Sequence, residues 1–267
     1  MRIVLFSGTH PRHLYVHQAL LAEFEIAGVV CMQRETLMPT AEPAWAPHDR
    51  ELFKLHFQRR QEVEKAVYGE YAADFYQKAA PTLLVLPHEL NSPTTCRFVS
   101  SLKADICFVF GTGLILGSLL ELLPKWKINM HLGLSPWYKG SATLFWPFYF
   151  MQPQFAGATF HFLTPGADAG DIIHQTVPEL KRGEGIHDVS ANVVKTSRLE
   201  LKTLFERLVA GKVLPEHRQK ITGRLFLERD FEAHHLRALY DLFRDRLVEE
   251  WLDGNLGTRL PKLVRAF

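Results

Sequence analysis

Apolar positions along the chain alternate between short unbroken runs and helically spaced ones, a pattern that predicts an α/β architecture. Arg2 to Phe6 is a β-rich run ending at Ser7-Gly8, and His13 to Glu23 then repeats apolar residues at helical spacing (Leu14, Leu20, Leu21). Ile26 to Met32 is a second apolar run, so the chain opens β-α-β, the unit of a parallel, doubly wound sheet. Gln33 to Asp49 is Pro-rich and irregular, and Arg50 to Tyr76 is charged, amphipathic and helical in pattern, which predicts a helical excursion inserted over about residues 40–80. Leu83 to Leu86 and Ile106 to Phe110 read as further buried strands, with a helix or turn through Thr94 to Leu102 between them.

Trp126-Lys127-Ile128 reads as a short strand and Leu144 to Met151 as an aromatic helical segment. Gly157 to Leu163 alternates as a strand, with Thr159 and His161 on one side and Phe160 and Phe162 on the other. Ile172 to Val177 is another strand, and His187 to Val213 a long amphipathic helix that Gly211 is placed to stop. Beyond it the composition shifts. Gly223 to Arg229 suits one strand of a small hairpin, and Asp230 suits the N-cap of a final helix. These features divide the chain into a main body, residues 1–180, and a C-terminal helical extension with a possible hairpin, residues 181–267. No internal repeat or low-complexity tract is present.

A chain of 267 residues, 47% apolar and 22% charged, can bury one sizeable core plus an appended part. Thirty-one basic and 29 acidic residues leave a net charge of +2, no electrostatic case for general nucleic-acid or membrane binding. Anion recognition must therefore be local. Cys31, Cys96 and Cys107 form no CxxC pair or disulfide framework and read as reduced, which predicts a cytoplasmic protein. The N-terminus lacks a signal-peptide pattern, and the longest uncharged run, Ile106 to Leu120, is too short and too Gly-interrupted to span a bilayer.

The densest chemistry lies in Asn129-Met-His131-Leu-Gly133-Leu-Ser135-Pro136-Trp137-Tyr138-Lys139-Gly140, followed by Thr164-Pro-Gly166-Ala167-Asp168-Ala-Gly170-Asp171. Asn129 and His131 fall at a strand's end with both side chains on one face. The 37 positions from His131 to Asp168 leave room for one helix and one strand, which would return the chain beside its starting point. An amide, an imidazole and a carboxylate suit acyl transfer to an amine, which needs an oxyanion stabiliser, a proton acceptor for the attacking nitrogen and a proton route to the leaving nitrogen.

These residues and their spacing resemble the 10-formyltetrahydrofolate-dependent formyltransferases. The resemblance implies a Rossmann-like, mostly parallel sheet with a small C-terminal α+β extension, and it makes Asn129, His131 and Asp168 catalytic. Asn129 would donate to the developing oxyanion, His131 would add a second donor, and Asp168 would raise the imidazole's affinity for protons and help move them. It further implies a pterin site for the co-substrate 10-formyltetrahydrofolate on Phe110-Gly111-Thr112-Gly113-Leu114-Ile115, closed by the loop holding Gly166 and Ala167. The chain departs from the commonest pattern of that family where Gly133 stands in place of a Ser, leaving Ser135 as the nearest hydroxyl.

The acceptor is expected near Ser7-Gly8-Thr9-His10-Pro11-Arg12-His13, a helix start where free N–H groups and the dipole favour an anion. Ser7, Gly8, His10 and Arg12 are its candidates, with Tyr138, Lys139 and Gly140 on the opposite side. No metal-ligand spacing occurs there, and His234 and His235 read as surface residues. Within the family, chain length disfavours a methionyl-tRNA enzyme and the Ser7–His13 pattern a glycinamide ribonucleotide enzyme. An N-formyltransferase of an amino sugar, often nucleotide-linked, is the leading expectation, with a homodimer possible. A formyltetrahydrofolate hydrolase and a non-catalytic folate-binding protein are the alternatives. A dehydrogenase is disfavoured because Ser7 to His13 lacks the glycines of a dinucleotide loop.

Overall fold

A computed structural model describes residues 1–33, 38–72, 74–219 and 223–267. Seven strands form one sheet in the order β3 (Thr82–Val85), β2 (Ile26–Met32), β1 (Ile3–Gly8), β4 (Ile106–Phe110), β5 (Trp126–His131), β7 (Ala158–Phe162) and β8 (Ile172–Thr176). The first five are parallel, and β7 and β8 join antiparallel. Every residue of β1 and β4 is buried, as an apolar run covered on both faces requires. The chain winds away from β1 in both directions, so the loops after β1 and β4 flank the switch point where doubly wound sheets bind ligands.

Two apolar cores cover the two faces. On one, α1 (Pro11–Glu23), α2 (Pro47–Tyr68) and α7 (Ile186–Val209) contribute Leu20, Phe53 and Leu201. On the other, α4 (Pro93–Leu102) and α5 (Gly117–Leu122) contribute Val99 and Leu119. Pro11 occupies the first turn of α1, where a missing N–H costs nothing, and Ser92 accepts from Thr95 N to start α4.

Several elements differ from the sequence expectations. The helical pattern of Arg50 to Tyr76 begins earlier, at Pro47, and stops at Tyr68, because Gly69 turns left-handed (φ 76°); α3 (Phe75–Ala79) follows. The irregular stretch Gln33 to Asp49 includes residues 34–37, which lie outside the described residues, as does residue 73. The aromatic segment yields only α6 (Trp146–Tyr149), since its rings pack into a core rather than along one helix face. The long helix ends at Val209 with Gly211 left-handed at φ 71°.

The C-terminal region diverges most. The run expected in a hairpin gives β9 (Arg224–Phe226), which pairs in parallel with β6 (Tyr138–Gly140). Asp230 opens no long helix. Its carboxylate accepts from Leu227 N in a short 3-10 turn, a second turn spans Ala233–His235, a π-turn spans Ala238–Leu242, and α8 (Leu247–Leu252) follows. His234 is exposed, whereas His235 packs edge-on against Trp146 and Tyr149. Among the described residues no helix is long and apolar enough to cross a membrane.

Candidate active site

Alternation along β5 sends Ile128 and Met130 into the core and leaves Asn129 and His131 on the other face. The antiparallel register then sets His161 of β7 opposite Asn129 and Thr159 opposite His131. Asp168 arrives from the loop after β7 in a left-handed conformation, φ 48°, with Gln219 Nε2 donating to the Asp168 and Gly170 carbonyls at 2.7 Å each. The structure thus brings Asn129, His131 and Asp168 together and adds His161, to which the sequence reading assigned a face but no role.

Hydrogen-bond partners fix the imidazoles. A carbonyl only accepts, so His131 Nε2–H donates to Tyr138 O at 2.9 Å, and Nδ1 faces Asp168 Oδ2 at 3.4 Å. His161 Nδ1–H likewise donates to Phe162 O at 2.9 Å, and Nε2 lies 3.5 Å from Asp168 Oδ1 and 3.0 Å from Asn129 Nδ2. Gly140 N–H donates to Asp168 Oδ2 at 2.9 Å. One carboxylate therefore sits between two imidazoles. Burial opposes its ionisation, but the His131 charge, the His161 hydrogen bond and the Gly140 N–H outweigh that and hold Asp168 well below the ordinary carboxylate range.

Gly133, where the resemblance expects a Ser, has a steric reason. A Cβ there would lie 2.5 Å from His131 Nε2 and 2.6 Å from the Tyr138 carbonyl, inside the bond that orients the catalytic candidate. Ser135 is fully buried, its N–H donating to Thr159 Oγ1 and its carbonyl accepting from Gln175. Tyr138 and Gly140, expected to touch the acceptor, contribute main-chain groups to the His131–Asp168 pair instead. The Tyr138 ring turns away to stack on Phe226, and its hydroxyl donates to Gln152. Lys139 lies between them, half-buried.

The loop after β1 also differs from expectation. Ser7 is buried against Tyr76, its Oγ 2.6 Å from the phenol oxygen, and Gly8 is buried beside it. Burial and the neighbouring Arg12 keep His10 neutral, and Glu64 of α2 lies 3.3 Å from His10 and 3.5 Å from Arg12. A carboxylate from the helical excursion thus offsets the charge that Ser7, Gly8, His10 and Arg12 were expected to offer an anion. After β4, Phe110 and Ile115 are buried, Gly111 is left-handed (φ 91°) with the His13 ring filling its Cβ position, and Leu114 is 52% exposed. Thr112 Oγ1 donates to Gly113 O, and a Cβ at Gly113 would meet nothing closer than the Leu90 side chain at 3.7 Å. Gly166 is exposed and Ala167 half-buried beside Asp168.

A cleft of about 1240 Å³ is lined by Leu132, which follows His131, and by Thr143, Arg12, His56 and Phe57 of α2, His187 of α7 and Phe231 of the C-terminal segment; Asn129, His131 and Asp168 stand behind this wall and do not line it. The Thr143 hydroxyl donates to the Leu132 carbonyl, which ties this wall to the catalytic corner. No group of three or more His, Cys, Asp or Glu among the described residues is arranged to hold a metal ion.

The formyl transferase family model matches residues 2–206. The chain belongs to the formyl transferase family. A methionyl-tRNA formyltransferase of Desulforamulus reducens is 30% identical over 173 residues, covering 60% of this chain and 54% of the relative, so the match spans about half of that protein. Among solved structures, glycinamide ribonucleotide transformylase 1 from Symbiobacterium toebii shares the fold (TM-score 0.57, 18% identity, covering 83% of this chain and 93% of that one). So does an N-formyltransferase from Helicobacter canadensis, solved with folinic acid and dTDP-3-aminofucose (TM-score 0.57, 16% identity, covering 98% of this chain and 84% of that one). The family match ends before β9, so the segment that contributes Phe231 to the cleft lies beyond it.

Proposed function

We propose that this formyl transferase family member is a cytoplasmic N-formyltransferase moving a formyl group from 10-formyltetrahydrofolate to the amine of an amino sugar. One observation carries the reading: His131 faces Asp168, Asn129 reaches the same carboxylate through His161, and a cleft large enough for a nucleotide-linked sugar begins at Leu132, the residue after His131.

Asn129 is placed to donate an amide N–H to the formyl oxygen as charge builds there. His131 reaches the same oxygen by exchanging its Tyr138 carbonyl partner for it. Asp168, the ionised group of this corner, faces His131 Nδ1 and His161 Nε2, and the proton that the attacking amine loses passes along this cluster to the leaving nitrogen of the folate. The donor fits after β4, where the half-buried Thr112–Gly113 main chain and exposed Leu114 offer peptide edges and an apolar face to a flat ring. There the co-substrate supplies the formyl group.

The identity to a methionyl-tRNA enzyme supports a second reading, with the amine on a charged tRNA. Both are tested by incubating the protein with 10-formyltetrahydrofolate and, separately, amino sugars, their nucleotide-linked forms and methionyl-tRNA, following folate absorbance and product mass. A gain of one formyl group on an amino sugar is the expected result. Formylated methionyl-tRNA alone would replace the first reading with the second. Folate release without product would establish a hydrolase, and folate binding without turnover a non-catalytic protein.

A further inference from the structure

A second histidine pair lies in the cleft, remote in sequence from the catalytic residues. His56 of α2 and His187 of α7 both line it, with ring centres 4.4 Å apart. Behind them the Tyr240 hydroxyl lies 2.9 Å from His56 Nδ1 and 3.5 Å from His187 Nε2. A hydroxyl has one proton, so Tyr240 donates to one imidazole and can accept from the other. Whichever way that proton points, it fixes the tautomer of His56 and leaves Nε2 a single role towards a ligand.

The surroundings keep the pair neutral. Burial first, then the charges of Arg60 and Arg59, push His187 down to about 3, and burial with His187 and Arg60 pushes His56 well below its usual range. Burial also holds the Tyr240 phenol protonated. Neutral imidazoles pair with groups that both donate and accept, and hydroxyls are such groups. Phe57, Phe145 and Phe231 add apolar walls suited to the C–H faces of a ring.

The C-terminal segment holds this arrangement. Tyr240 sits in the π-turn Ala238–Leu242, and Arg244 and Asp245 follow in left-handed conformations (φ 52° and 58°). That turn brings Asp245 Oδ1 to accept from Ile186 N at 3.0 Å, capping α7 one residue before His187. We propose that His56 and His187, set by Tyr240, form a hydroxyl-reading floor that selects a hydroxylated ring amine as acceptor. This rests on the amine-acceptor reading above. Tyr240 is a positioning residue, and it belongs to a segment beyond the residues that the family model matches.

The test compares glucosamine with cyclohexylamine, two ring amines that differ in hydroxyls, as acceptors for wild type, Tyr240→Phe and His56→Leu. Wild type should prefer glucosamine in kcat/KM by at least about tenfold, since an unmatched buried polar group costs that much or more. Each variant should lose most of that preference, mainly through KM. Saturation-transfer NMR of glucosamine with the protein alone gives a readout independent of formyl transfer. Binding that depends on Tyr240 while no amine is formylated would remove the transfer reading and leave the floor standing. An unchanged preference, or unchanged glucosamine binding, in folded Tyr240→Phe and His56→Leu would overturn the floor. Should either variant fail to fold, His187→Asn replaces it on the same two readouts.

Discussion

Two histidine pairs stand in this molecule, each bridged by one oxygen-bearing side chain, and they differ in what the bridge can do. His131 and His161 flank the Asp168 carboxylate, whereas His56 and His187 flank the Tyr240 hydroxyl. The carboxylate is stabilised as an anion by both rings and the Gly140 N–H, so the first bridge carries a charge. The phenol is held protonated, so the second pair can only donate and accept hydrogen bonds. The same imidazole thus meets a charge in one place and a neutral hydroxyl in the other, and on the proposals above the partner decides between proton movement and recognition.

The most direct way to break this contrast is to neutralise the first bridge. Asp168→Asn should lower turnover by about 10²–10⁴-fold while circular dichroism stays native, because a neutral amide cannot pass the proton or stabilise the charge that builds on the facing imidazoles. An Asp168→Asn variant with full turnover would erase the distinction between the pairs. His161→Phe should cost less, about 10–100-fold, since it removes one of the rings holding Asp168 but leaves His131 in place; steady-state kcat measures it.

Gly133→Ala probes the geometry beneath the first pair. Its Cβ would intrude on the His131–Tyr138 bond from 2.5 Å, and the repacking should destabilise by about 1–3 kcal/mol, read as a drop of several degrees in melting temperature. Asp245 tests the support of the second pair by pH. Burial raises its carboxyl to about 6, so the folded protein binds this proton more tightly than the unfolded chain, and its contribution to stability falls as pH rises from about 4 through 6. Asp245→Asn keeps an acceptor for Ile186 N and removes that loss. The unfolding free energy from urea titration at pH 7 should rise modestly, by about 1 kcal/mol, less what the nearby Arg59 (3.7 Å) returns, and the gain should vanish near pH 4.

The first pair was partly legible in the sequence, and the second was not. Asn129, His131 and Asp168 were legible through their resemblance to the formyltransferase signature, and strand alternation places Thr159 and His161 on one face. What alternation cannot supply is register, so the meeting of His161 with Asn129 appears only when β7 is laid against β5. His56 and Tyr240 lie 184 positions apart, and no local period links them. The stretch that carries Tyr240 uses 3-10 turns, a π-turn and two left-handed residues, which give no helical or strand pattern to read. The acid that tempers the β1 loop, Glu64, is equally remote: it arrives on α2, whose helical pattern was visible but whose packing partner was not.

The short sheet of β6 and β9 carries a consequence for assembly. Tyr138 and Gly140 of β6 give main-chain groups to His131 and Asp168, and the same strand is braced by β9 through Ser141 N to Phe226 O at 2.8 Å. A parallel pairing between Tyr138 and Arg224 closes over the whole of β7, β8 and α7, a long loop whose entropy delays it during folding. The setting of His131 and Asp168 and the docking of the C-terminal segment are therefore coupled through this one long-range pairing, so loosening β9 loosens both.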